Sequence, residues 1–158
     1  MINGYQIITA DKLDESVKGQ LIDLWNKEYP ENISYTNHID FETYLQKLTN
    51  VKHFLVVNIE NMIFGWAFVF NRDNERWFAI ILDERIQGKG VGREILELLK
   101  STEPVLNGWV VDHSNDLKRN GQFYRSPIQF YEQCGFKVLP EVRHENDTIS
   151  AVKIIWIA

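Results

Sequence analysis

Three observations predict an α/β domain built on a mixed, mostly antiparallel sheet flanked by helices. First, residues 53–59, 62–70 and 76–82 are short apolar runs joined by brief turns at 60–61 and 71–75, which makes them antiparallel neighbours. Second, the last run, WFAIIL at 77–82, is wholly apolar, as suits a strand covered on both faces, and the period then changes. Val91, Ile95, Leu98 and Leu99 recur at i, i+4, i+7 and i+8, the spacing of an amphipathic helix. Third, residues 106–111 supply another strand whose connection runs through that helix, so pairing should switch there from antiparallel to parallel.

The other elements follow from local signals. Residues 5–10 read as a first strand, and Asp11 or Asp14 can cap a helix carrying Val17, Leu21, Leu24, Trp25 and Glu28 at near-helical spacing. Pro30 stops it. A polar connection, 31–38, leads to a short helix starting at Asp40 with Phe41, Tyr44, Leu45 and Leu48 on one face. Gly65, inside an apolar run, marks a bend or bulge. The helix opened at Val91 should end near 101–104, and the polar, turn-rich stretch 112–125 reads as a loop. Ser126 can cap the next helix, with Pro127 in the first helical position and Gln129 as capping-box partner. Gly135 ends it, which puts Tyr131 near the middle of a short helix. Residues 136–139 and 151–156 read as closing strands across a charged turn, 140–148.

With 158 residues, 44% of them hydrophobic, the chain is expected to form one domain and bury roughly two-thirds of the surface its unfolded form exposes. Its single cysteine, Cys134, excludes an internal disulfide, and no His/Cys cluster suggests a metal site, so a reducing cytoplasm is the expected setting. The N-terminus carries no visible secretory signal, and the 62–70 run is far shorter than the ~20 residues that cross a bilayer. A net charge of -5 argues against a nucleic-acid partner, which is held mainly by basic groups on phosphates.

The switch from strand to helix falls on Gln87-Gly88-Lys89-Gly90-Val91-Gly92. Glycines there admit positive φ and close backbone approach, and the first N–H groups of the helix have no partners within it. Such a terminus binds anions, phosphate above all, and Arg85, Lys89 and Arg93 add positive charge. By itself the turn could equally be a plain connection. A Walker A loop is absent, and Gly88, Gly90 and Arg93 give GxGxxR rather than the dinucleotide fingerprint.

The run Gln87-Gly88-Lys89-Gly90-Val91-Gly92 behind an apolar strand, followed by Phe130-Tyr131-Glu132-Gln133-Cys134-Gly135-Phe136, resembles the acyl-CoA loop and the later FYExxGF helix of the GNAT N-acetyltransferases. The resemblance implies a GNAT-type fold whose sheet is splayed between the fourth and fifth strands to admit acetyl-CoA as co-substrate. It implies cofactor contacts at Gln87, Gly88, Lys89, Gly90, Val91, Gly92 and Arg93. It also implies that Ile80, Ile81 and Leu82 turn backbone amides toward the thioester. The family's usual Asn-x-x-Ala lead-in is missing, since Tyr124 and Pro127 stand where Asn and Ala would fall.

Acyl transfer from a thioester to an amine also needs a proton taken from the ammonium and one given to the thiolate. The resemblance assigns the second task to Tyr131, which would otherwise be a core aromatic. For the first, Glu75, Asp83, Glu84, Asp112 and His113 stand at strand ends, and position favours Glu84 or His113, although each is individually a plausible solvated charge. Tyr29, Tyr35, His38 and Tyr44 are candidate acceptor contacts, the 112–125 loop is either solvated or a wall of the acceptor entrance, and Cys134 is read as packing. The implied acceptor is a small-molecule or peptide amine, and net negative charge mildly favours a cationic one. A non-catalytic acyl-CoA sensor and a nucleotide-phosphate binder are the alternatives, and the apolar C-terminal strand could pair across a homodimer.

Overall fold

The computed structural model describes residues 3–158, and among them seven strands form one sheet in the order β1-β2-β3-β4-β5-β7-β6. In chain order the elements are β1 (Gln6–Ala10), α1 (Glu15–Glu28), α2 (His38–Gln46), β2 (Thr49–Val57), β3 (Ile63–Arg72) and β4 (Glu75–Leu82). They continue with α3 (Val91–Thr102), β5 (Val105–Val110), α4 (Ile128–Gln133), β6 (Lys137–Glu145) and β7 (Ser150–Ile157). Every neighbouring pair is antiparallel except β4 and β5, which are parallel because α3 carries the chain back across the sheet. Those two strands share a single register pair, Trp77 with Asn107; the sheet is therefore open from there toward the C-terminal end of β4.

Alternation along β4 assigns its side chains to two cores. Phe78, Ile80 and Leu82 join α3, α4 and Leu106, Val110 and Ile154 on one face. Trp77, Ala79 and Ile81 join α1 and α2 with Trp66 and Phe68 on the other. Both faces of the central strand are covered, as its unbroken apolar sequence requires. On α3 the inward residues are Val91, Ile95, Leu96 and Leu99, whereas Leu98, expected on the apolar stripe, is 37% exposed. The stripe is centred one position away, on the 92/95/96/99 face, because the start of the helix is pressed against α4: a side chain at Gly92 would meet the Phe130 ring at 3.0 Å.

Several boundaries differ from expectation for local reasons. Asp14 caps α1 by accepting from the Val17 N–H at 2.8 Å. Asn37 caps α2 through the Asp40 N–H, so that helix starts at His38. β2 begins at Thr49, four residues before the apolar run, because β3 extends to Arg72 and pairs with it. Pro127 stands immediately before α4, and Ser126 serves two ends: its hydroxyl accepts the Ile128 N–H at 3.4 Å and donates to the Val111 carbonyl, tying the helix to the end of β5. β6 runs on to Glu145 through an irregularity between Leu139 and Arg143, where a charged turn was expected. At Gly65 a Cβ would lie 2.8 Å from Val56, beside a register shift in β2, so close approach and bulge coincide there.

Candidate active site

The turn between β4 and α3 lies at the mouth of the opening between β4 and β5. Gly88 and Gly90 adopt φ of +73° and +84°, and a Cβ at either would meet nothing within 4 Å, so the corner is open. Gly90 is the helix cap and supplies no side chain; the first helical bond runs from the Glu94 N–H to the Gly90 carbonyl. The N–H groups of Val91, Gly92 and Arg93 are therefore left without partners in the helix. Lys89 and Arg93 are exposed beside them. Arg85 is committed elsewhere: its guanidinium holds Asp83 at 2.9 Å and lies over the Phe64 ring at 4.5 Å. Gln87 is exposed but likewise engaged, donating its amide to the Leu82 carbonyl at 2.8 Å.

That last contact shows which way the end of β4 points. The Asp83 N–H donates to the Phe64 carbonyl of β3, so Asp83, Ile81 and Ala79 turn their backbone groups toward β3. Leu82 and Ile80 then turn theirs into the opening. Of the three amides expected there, Ile81 faces away, because successive residues of a strand alternate.

Tyr131 lies in the middle of α4 and is 7% exposed, packed edge-on to Phe78 at 5.7 Å and close to Phe130 and Phe136 at 5.2 and 5.5 Å. Burial and the neighbouring Tyr124 push its phenol well above the ordinary range, so it keeps its proton. Tyr124 is pushed up to about 12 by burial and then by the Glu28 carboxylate. Tyr29 is raised too, first by burial and then by Tyr124 and Tyr131, and it meets Tyr124 edge-on at 6.3 Å. Three phenols thus gather at one end of the opening. Tyr35 and Tyr44 pack around Trp25 in the α1/α2 core, at 5.2 and 5.6 Å, and join this group only through Tyr29, which meets the same indole at 4.6 Å. His38 opens α2 and is exposed.

The candidate bases are placed apart. Glu84 is exposed on the turn after β4, and its N–H donates to the Glu28 carboxylate at 2.9 Å. His113, past the end of β5, accepts from the Asn115 N–H at Nδ1, with Nε2 3.9 Å from Asp116. Its neutral ring therefore has no free lone pair. Asp83 is buried, and burial alone would push its carboxyl up, but hydrogen bonds from Arg85 and Lys27 together hold it well below the carboxylate range. Glu75 is paired with Lys153 and Asp112 with Arg143. Cys134 is buried in the α3/α4 core, as expected of a packing residue.

Glu28 is the residue that sequence reasoning missed in this role. It is 5% exposed at the end of α1, with Lys118 at 3.1 Å and Lys27 at 3.8 Å. The available signal was a charged residue standing where the 21/24/25 stripe calls for an apolar one. Lys118 could not be found that way, since the 112–125 stretch gives no periodicity.

Residues 50–138 match the family model of the acetyltransferase (GNAT) domain. The whole chain superposes on a GNAT-family acetyltransferase from Staphylococcus aureus Mu50 with a TM-score of 0.67 and 15% identity, covering 97% of this chain and 98% of that one. The spermidine N-acetyltransferase of Vibrio cholerae, solved with CoA and spermine, gives a TM-score of 0.67 and 15% identity over 98% and 95% of the two chains. A GCN5-related N-acetyltransferase from Kribbella flavida gives 0.58 and 12% over 98% of each. No curated protein sequence matches significantly. At such identities the structures show a shared fold, and the matched domain shows the lineage: the chain belongs to the GNAT family of acetyl-CoA-dependent acyltransferases.

Proposed function

We propose that the protein transfers an acetyl group from acetyl-CoA to a primary amine by direct attack, with no acyl-enzyme intermediate. The observation that carries this is the open glycine corner, with its unpartnered α3 amides, leading into the gap between β4 and β5 beside Tyr131. The backbone of residues 88–93 with Lys89 and Arg93 would hold the diphosphate of CoA. Gln87 would act indirectly, by bracing the end of β4. The amides of Ile80 and Leu82 would face the pantetheine arm and the thioester carbonyl, where fixed donors stabilise developing negative charge.

The amine nitrogen attacks the carbonyl carbon, the C–S bond breaks, and Tyr131 donates its hydroxyl proton to the departing sulfur. A lysine-like amine has a pKa of about 10.4, so a base must first take its proton. Glu84, acting through water from the rim of the gap, is better placed than His113, whose Nδ1 is already accepting a hydrogen bond. No metal is called for. We take the setting to be a reducing cytoplasm and the chain to act as one domain; β7, expected as a strand that could pair across a homodimer, is already paired on both edges, with β5 and β6, and is not free to do so. Incubating a panel of amines with acetyl-CoA and following released thiol tests the assignment. Thiol release matched by an acetylated amine is expected; CoA binding with no turnover on any amine would favour the sensor reading.

A further inference from the structure

The Glu28 carboxylate is nine-tenths buried, yet one of its cations comes from a distant and only locally folded segment. Lys118 lies on a small hairpin: Leu117 pairs with Phe123, the Lys118 N–H donates to the Gln122 carbonyl, and the Gly121 N–H returns to Lys118. The hairpin spans from the end of β5 to the end of α1, where Pro30 pairs with Lys118 and the Glu31 N–H donates to the Leu117 carbonyl at 2.8 Å. It therefore crosses the open end of the gap between β4 and β5. The Lys118 side chain reaches in, 12% exposed, to the Glu28 oxygen at 3.1 Å. The outer face is apolar and little packed, with Leu117 and Phe123 47% and 64% exposed. What fastens this strap is the Lys118–Glu28 pair, the backbone pairing with Pro30 and Glu31 and the contact of Tyr124 with Tyr29; the tip between them is exposed, and segments held by so few contacts open at low cost.

Around Glu28 stand the groups an acceptor amine would meet. Its other oxygen takes the Glu84 N–H, on the turn that closes β4, and its charge is felt by Tyr124, which in turn acts on Tyr131. We propose that Glu28 is the anchor for a cationic acceptor and that Lys118 is a tethered stand-in, holding the anchor until an acceptor ammonium displaces it and the hairpin swings out. A lysine ammonium and the ammonium of a free primary amine present the same charge and the same three donors, so the place that fits one fits the other. Neutral amines, which cannot replace the charge, would leave the strap closed. This rests on the acetyl-transfer reading above and adds to it the acceptor class and a gate.

1,5-Diaminopentane can place one ammonium on Glu28 while its other amine, once deprotonated, attacks the thioester, and it serves as the probe, with thiol release from acetyl-CoA and calorimetric CoA affinity measured in parallel. Lys118→Ala removes the competitor, so kcat/KM for 1,5-diaminopentane should rise about tenfold, with CoA affinity unchanged, because a charge-assisted contact no longer has to be broken first. Glu28→Gln should lower it at least tenfold. Lys118→Arg, which keeps the charge and grips a carboxylate with two N–H groups, should lower it severalfold, and it covers the case in which the alanine variant fails to fold. A merely structural ion pair predicts the opposite sign for Lys118→Ala. An unchanged or reduced kcat/KM in that variant, or an arginine variant equal to wild type, with CoA still bound, overturns the proposal alone. Loss of CoA binding in the wild type would instead overturn the acetyl-transfer reading.

Discussion

Two corners of the molecule meet at the gap between β4 and β5, and they are built by different means. The proposed cofactor corner is a continuous piece of chain, Leu82 to Arg93, and what it offers a ligand is backbone amides and glycines at positive φ. The proposed acceptor corner gathers Glu28 and Tyr29 from the end of α1, Glu84 from the turn after β4, and Lys118 and Tyr124 from the hairpin. One is fixed by local conformation, and the contacts proposed for it are nearly free of side-chain identity. The other is a set of side chains from distant segments, so it can be changed one residue at a time. A scaffold divided in this way keeps its co-substrate while its acceptor varies.

Tyr131 stands between the corners, and the largest effect should come from there. Tyr131→Phe should cut turnover by about 10²-fold or more, the scale of a lost proton donor, with CoA affinity nearly unchanged by calorimetry. An equal fall in CoA affinity would place the residue in the packing of the cofactor corner instead.

The layers beneath the corners should also part company in acid. His53 is buried under the α1/α2 layer, where its Nδ1 accepts the Trp66 indole N–H at 3.0 Å, and burial lowers its pKa from 6.5 to about 4. The unfolded chain therefore binds a proton that the folded one refuses. The contribution is complete above about pH 6.5 and is lost as pH falls toward about pH 4, by up to about 3 kcal/mol. Urea unfolding at pH 7 and pH 5 should show a slope that His53→Gln flattens. Hydrogen exchange should show α1 and α2 loosening before α3.

A smaller effect confined to the cofactor corner should follow from Gly90→Val. A β-branched residue at φ +84° is strained, so the turn should shift and CoA affinity fall by about tenfold, with circular dichroism unchanged. The smallest effect belongs to the strap's outer face. Phe123→Ser, at 64% exposure, should change stability by less than about 0.5 kcal/mol in thermal unfolding.

The cofactor corner and the sheet were largely legible in the sequence because both rest on short-range patterns. The change of period at 82–91, the glycines within it and the FYExxGF run announce strand, turn and helix without reference to distant residues. Even there, the commitments of Arg85 to Asp83 and of Gln87 to Leu82 were not visible, since both depend on how the chain folds back on the end of its own strand. Position favoured Glu84 and His113 equally; their surroundings distinguish them.

An unbroken apolar run is enough to say that β4 is covered on both faces, because successive side chains point to opposite sides, and an uninterrupted helical connection is enough to make β5 parallel to it. Tertiary structure alone decided that Ile80 and Leu82, not Ile81, face the gap, since that parity depends on the register with β3. It alone brought Lys118 to Glu28, ninety residues apart in sequence. A buried charge must find its counter-ion wherever the fold delivers one, and no local pattern records where that will be.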